Sequence, residues 1–344
     1  MIIKQHYVSA GYLAGFTFQG KRDSPFFVHS LDGSPVREDI PDHVGFERHY
    51  NTIDFPGLPP DHLEAVFHEF ETPACALFKT LSAHPGRPFT TEGELAAALE
   101  FVALQAARVP QSKAKYESLI VDSGRMFMNK VAYSPEFFQE VVTAAERTGV
   151  LDDSIRQDSL REAVESGEIK VATDKSHLAV GILRLTSAIF DQISSMRSTL
   201  WYADGPDWFV CSDHPVGLFY SFSGNVFDDP TVLENPTVQL LKDTIYMPLA
   251  RNVAVVLHRH TDVPAVQRAH RRMVAVVNAL TISQAQRFIF SPTPDFICFL
   301  PGGRLGNARE SIESLVSFRE GNGEQPSWLD METPSARETG NLEK

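Results

Sequence analysis

Three short stretches carry side chains whose types and spacing could do chemistry. In HLEAVFHEFE, residues 62–71, Glu64 and His68 lie four apart and His68 and Glu71 three apart. On a helix all three share a face. A histidine between two carboxylates at that spacing could ligate a divalent metal, or could be a solvated face with favourable charge spacing. It is not HExxH, because no second histidine follows at the required position. In LQAARVP, Gln105 and Arg108 project from one side of a helix, with the apolar Ala98 and Phe101 one turn back. That side faces inward, where an arginine requires either a carboxylate of the protein or an anionic ligand. In CSDHP, Ser212, Asp213 and His214 follow an apolar run at a strand end. Neighbours on an extended chain alternate faces, so these three form no local Ser-His-Asp relay. Asp213 then either presents its carboxylate from a rigid scaffold or bonds backbone amides.

Other signals are weaker. The basic stretches HRH (258–260) and RAHRR (268–272) read as solvated charge, and PGGRLG (301–306) lacks both the P-loop lysine pattern and GxGxxG. No GxSxG elbow is present. Cys75, Cys211 and Cys298 are far apart, odd in number and set among apolar neighbours. They read as buried inert thiols, with no disulfide framework or zinc ribbon.

The elements that position these residues follow from periodicity. Residues 1–55 are extended and turn-rich, and PFFVHSL and VGFERHYNTI flank the Asp32-Gly33 turn as a hairpin beside His6. Helices are expected over 60–197. One starts after Asp61 and kinks or restarts at Pro73. The next carries a Thr91/Glu94 capping box and ends at Val109-Pro110, and another opens at Pro135. Two more cover 153–166 and 176–196. From 198 to 300 short apolar runs (TLWYAD, DWFVCSD, VGLFYSF, TIYMPLA, NVAVVLHRH) predict an antiparallel sheet. A long helix over 263–288 and a last strand, FICFL, complete it. Helices and strands segregate without βαβ alternation, which is the α+β class. Residues 1–320 read as one compact domain, and 321–344 as a polar mobile tail.

Composition narrows the function classes. The 344 residues carry 31 Lys and Arg against 44 Asp and Glu, a formal charge of −13. That sign opposes a nonspecific nucleic-acid binder. No run approaches the ~18 apolar residues of a membrane span, and no signal peptide opens the chain. The expectation is a cytoplasmic protein. Oligomeric state is not legible.

Several segments together resemble a large, mainly bacterial family, domain of unknown function 4238. HYVSAGYLAGF is similar to its HYVPxFYLRxF opening. ALEFVALQAARVP is similar to its helix with Gln, Arg and Pro, and WFVCSDHPV to its TSDNPV strand end. TIYMPLA and the Asn-bearing VNALTISQAQRFIFS follow in the family's order. The resemblance runs from about residue 6 to 300 and implies no established reaction. It brings forward His6, Glu71, Gln105, Arg108, Asp213 and Asn278 as matching polar positions, and gives no support to Glu64 or His68. Ser9, Ala10, Ala14 and His214 depart from the family pattern, which implies a divergent substrate or reduced activity if those positions assist chemistry.

The functional expectation is a hydrolase acting on an anionic small molecule or an ester or amide bond. His6, Glu71 and Asp213 would be its catalytic acid/base set, and Gln105, Arg108 and Asn278 would bind substrate. The same histidine and carboxylates could hold a divalent metal. One alternative is a non-catalytic regulatory protein in which Gln105 and Arg108 hold a ligand or partner without turnover; in a further reading these polar residues, Arg108 paired to a protein acid, are a buried structural network and the function lies elsewhere on the surface. Another is a metal-dependent nuclease of a defence or toxin system.

Overall fold

The computed structural model describes residues 2–147, 156–219, 244–259, 263–300 and 304–320. Strand β1 (Lys4–His6) pairs antiparallel with β4 (Phe46–Arg48), with His6 opposite Phe46. Gly45, at φ +66°, turns its carbonyl to accept from the amides of Tyr7 (2.8 Å) and Val8 (3.1 Å). A residue with a Cβ is strained in that left-handed conformation. The hairpin at the Asp32-Gly33 turn joins β2 (Phe26–Ser30) to β3 (Arg37–Asp39). This corrects the expected partner, since VGFERHYNTI supplies β4 and pairs with β1 instead. A short helix α1 (Ala10–Leu13) follows β1 within the stretch expected to be extended.

Helix α2 (His62–Ala83) runs unbroken through Pro73 rather than restarting. Pro73 is exposed, so the backbone carbonyl it leaves without a donor lies on the solvent side, where water can satisfy it. Helix α3 (Glu92–Arg108) begins at Thr91, whose hydroxyl accepts from the Glu94 amide at 3.1 Å. It ends at Val109, and Pro110 opens α4 (Pro110–Tyr133). Helices α5 (Pro135–Arg147), α6 (Gln157–Glu165) and α7 (Lys175–Ile193) complete the helical middle.

The C-terminal part holds β5 (Arg197–Ala203), β6 (Cys211–Ser212), β7 (Gly217–Phe219), β8 (Thr244–Ala250), β9 (Val253–His258) and β10 (Val266–Ala269). Helix α8 (Arg271–Gln284), β11 (Phe288–Ser291), β12 (Cys298–Phe299), β13 (Leu305–Gly306) and α9 (Ala308–Arg319) follow. One sheet runs β10-β5-β9-β8-β7 and another β3-β2-β11-β6. Most pairings are antiparallel, as α+β segregation requires, but β10 lies parallel to β5. The expected helix over 263–288 is therefore strand, helix, strand. Residues 266–269 pair with β5 instead of entering a helix, and Phe288, Ile289 and Phe290, the first half-buried and the other two buried, pair as a strand with β2. Helix α9 carries no expectation from periodicity, and the expected tail lies outside the described residues.

Strands β8 and β9 are apolar on both faces because each face meets a different core. Met247, Leu249, Val253, Val255 and Leu257 join the cluster containing α2, α3 and α7 residues. Tyr246, Ala254 and Val256 join the cluster built on α8. The period-two alternation of a strand divides the residues between the two.

Candidate functional site

Helices α2 and α3 bring Glu71 and Arg108 together across the helical core. The Arg108 side chain is 1% exposed, and its Nη1 ion-pairs with Glu71 Oε1. Gln105, one turn earlier on α3, points its amide oxygen at the same guanidinium. That oxygen accepts from Nε at 2.8 Å and also from Nη2. The second carboxylate oxygen of Glu71 accepts from the Ser9 hydroxyl at 2.9 Å. Ser9 stands at the N-terminal cap of α1 yet makes no side-chain capping bond there, so its hydroxyl is free for Glu71. The Phe67 ring lies 5.8 Å from the guanidinium, and Tyr50 donates its hydroxyl to the Arg108 carbonyl at 2.8 Å. The alternative in which Arg108 pairs with an acid of the protein is what the structure shows, with Glu71 as the acid.

His6 ends β1, three residues before Ser9 in the chain. Its ring packs edge-on against Phe46, with centroids 5.6 Å apart, and its Nε2 is buried without a hydrogen-bond partner. Burial lowers its pKa, and the charges of Arg22 and Arg108 lower it further, against opposing effects of Asp42 and Glu71. His6 is thus a neutral imidazole within electrostatic reach of both members of the ion pair.

Glu64, two turns before Glu71 on α2, accepts from the Asn51 amide at 2.8 Å. Burial raises its pKa, opposed by Asn51 and by the charge of Arg108. The i, i+7 spacing returns Glu64 to the Glu71 face, which the family resemblance did not bring forward. His68 points elsewhere: it is exposed and meets Thr72 at 3.2 Å. The metal face drawn from Glu64, His68 and Glu71 is therefore not assembled. Among the described residues no group of three or more His, Cys, Asp and Glu side chains is placed to hold a metal ion.

Asp213 and Asn278 serve other partners. Asp213 is 3% exposed, and its carboxylate accepts from the backbone amides of Gln286 (2.8 Å) and Arg287 (2.7 Å). Its own amide donates to the Phe288 carbonyl at 3.1 Å. Burial raises the Asp213 pKa, and hydrogen bonding of the carboxylate to the backbone of Gln286, Arg287 and Phe288 opposes that rise, as does the charge of Arg287. Asn278 is fully buried on α8 and bonds three backbone groups, the Val210 amide and the Trp208 and Ile297 carbonyls. The two side chains tie β6, β11 and β12 to the end and middle of α8. Burial raises the pKa of Tyr7 and the charge of Asp213 raises it further, and the Tyr7 ring lies 5.8 Å from that of Tyr50. Of the expected site residues, Glu71, Gln105 and Arg108 meet, His6 lies within electrostatic reach of Glu71 and Arg108, and Asp213 and Asn278 bond other partners.

The Ser212 hydroxyl bonds the His214 backbone, so these neighbours form a turn rather than a relay. The three cysteines are free thiols, and burial pushes each up to about 12. Such thiols are protonated and inert at neutral pH. Cavities of about 420, 490 and 350 Å³ open around β11, β13 and α9, and none of their walls includes His6, Glu71, Gln105 or Arg108. We give the clustered side chains more weight than these cavities, because the cavities hold no comparable convergence of buried charge.

A family model matches residues 4–295, which takes in both clusters and every element from β1 to β11. The chain belongs to the family described as Protein of unknown function (DUF4238). Neither the curated proteins nor the solved structures give a match to it. Ser9, where the family's proline is expected, is the residue that holds the second oxygen of Glu71. In this DUF4238 chain the departure adds a hydrogen bond to the central carboxylate, one a proline could not donate. Sequence reasoning marked Ser9 only as a departure, since its partner lies 62 positions away. No helix among the described residues is long and apolar enough to cross a membrane.

Proposed function

We propose that the cluster of His6, Ser9, Glu71, Gln105 and Arg108 is the working site of a hydrolase acting on an ester or amide bond of a small molecule. The observation that carries this reading is the buried, unpartnered Nε2 of a histidine kept neutral within electrostatic reach of a fixed ion pair. A neutral imidazole is the general base that water activation at pH 7 uses most often. The Glu71 carboxylate, 18% exposed and fixed by Ser9 and Arg108, would stabilise the imidazolium that forms when His6 takes the proton. Arg108 acts through Glu71 as a positioning residue, since its Nη1, Nε and Nη2 all have acceptors within the protein. This draws support away from Arg108 as the holder of an anionic substrate group. Asp213, held by backbone amides, has no part in the proton transfer.

A second reading rests on the same saturated guanidinium. A network whose charges are matched internally can be a scaffold, and the chain then binds a ligand or partner without turnover. A metal-dependent nuclease draws support neither from a donor set among the described residues nor from the net charge of −13.

The test is a panel of p-nitrophenyl esters and aminoacyl anilides assayed with wild type, His6→Gln and Ser9→Ala. The hydrolase reading expects turnover that His6→Gln lowers by about 10²–10⁴-fold while the fold is retained. Turnover unchanged in folded His6→Gln removes His6 as the base. No turnover of any panel member by wild type favours the scaffold.

A further inference from the structure

The exposed apolar residues are not scattered evenly. Leu119, Met126, Phe127 and Tyr133, each 43–66% exposed, all lie on α4. Of the 24 residues of this helix only Val131 and Ala132 are buried, and neither α5 nor α6 buries a residue. A concentration of large apolar side chains on one exposed helix marks an interaction surface. We propose that α4 is the contact between two copies of this chain, packed antiparallel about a two-fold axis at Met126. The proposal is independent of the hydrolase reading.

The register follows from the spacing. Leu119, Met126 and Tyr133 repeat every seven residues, and Asp122, Ser123, Asn129 and Lys130 lie between them on the same side of the helix. All seven are exposed, and at one end of the stripe Tyr133 also donates to Glu165 on α6 at 2.8 Å, with Arg161 over its ring at 5.5 Å. A two-fold axis through Met126 sets each residue opposite the one at equal distance on the other side. Leu119 then meets Tyr133 of the second copy, and Met126 meets itself. Asp122 meets Lys130, and Ser123 meets Asn129. The stripe is thus self-complementary in apolar contact, hydrogen bonding and charge, and each pair off the axis occurs twice. The register sets no two like charges of the stripe opposite each other, a match that a polar face has no reason to show in a monomer. Within one chain Asp122 makes only local bonds, to Ser118 at 3.2 Å and Arg125 at 3.4 Å. Lys130 lies over the Phe137 ring at 4.2 Å with its charge still solvated. The contact runs from Leu119 to Tyr133, 15 residues and about 21 Å of helix, which belongs to the small, reversible class of interface.

Sedimentation velocity of the full chain from about 5 to 500 µM reads the outcome, and the expected result is a monomer–dimer equilibrium with Kd in the micromolar range. Met126→Glu sets two carboxylates face to face on the axis and should weaken association by at least about tenfold. Asp122→Lys and Lys130→Asp, each alone, should weaken it as well. The double exchange Asp122→Lys with Lys130→Asp should restore it, because the antiparallel register exchanges the two charges. All three positions are exposed, so the four variants should fold, which circular dichroism checks. A wild type that stays monomeric throughout overturns the proposal. So does a dimer that Met126→Glu leaves intact, or a double exchange that fails to restore what each single change removed.

Discussion

The two buried polar regions use the same kind of residue for different ends. Around Arg108, side chains bond other side chains: Glu71 takes the guanidinium, Gln105 takes the rest of the fork, and Ser9 fills the free carboxylate oxygen. Around Asp213 and Asn278, side chains bond backbone, each holding amides or carbonyls from distant strands. A carboxylate saturated by two amides is a clamp that sets where β6 and β11 lie. A carboxylate matched to an arginine, with an unpartnered imidazole in electrostatic reach, retains groups that can exchange protons. Burial alone does not separate a site from a scaffold; in the proposed reading the unpartnered Nε2 of His6 is what separates them.

The sharpest way to break this contrast is to remove one member of the ion pair. Arg108→Ala leaves Glu71 without its counter-charge and should destabilise the protein by roughly 3–5 kcal/mol in urea unfolding. Replacing the pair together, with Arg108→Met and Glu71→Leu, should cost clearly less than Arg108→Ala alone. A smaller loss is expected at the clamp. Asp213→Asn keeps one acceptor for two amides and should cost about 1.5–3 kcal/mol with turnover per folded molecule unchanged. Ser9→Ala removes a single hydrogen bond to Glu71 and should cost about 1 kcal/mol.

The pH dependence should also run in opposite senses. His6 has its pKa lowered in the folded state, so below about 6.5 the unfolded chain binds more protons and stability falls as the pH falls toward the folded value. Asp213 has its pKa raised, so above about 3.8 the folded chain binds more protons and stability falls as the pH rises through the folded value. Urea midpoints from pH 4 to 7 should lose the first slope in His6→Gln and the second in Asp213→Asn. Slopes unchanged by either substitution would count against both assignments.

The α+β class, the Thr91 cap, the α3 terminus at Arg108 and the inward turn of Gln105 and Arg108 were legible, because each depends on spacing within one element. The family resemblance brought forward Glu71 and His6. Neither periodicity nor resemblance could reveal that Ser9 reaches Glu71, or that Asp213 reaches amides 73 and 74 positions away, since these contacts join elements distant in sequence. Strand β10 was read as helix because a short amphipathic run suits either period, and its parallel pairing with β5 decides the matter through tertiary contacts. Glu64 was flagged for a metal with His68, yet the face it shares is the one toward Arg108.

The central claim is that His6 belongs to the same electrostatic unit as Glu71 and Arg108. An NMR pH titration of the His6 imidazole in wild type and in Glu71→Gln tests it most directly. Glu71→Gln retains an oxygen for Arg108 but removes the negative charge that favours imidazolium. The account predicts a wild-type pKa below 6.5 and a further fall in the folded variant. A His6 that titrates at 6.5 or above, or one that Glu71→Gln does not move, would contradict it.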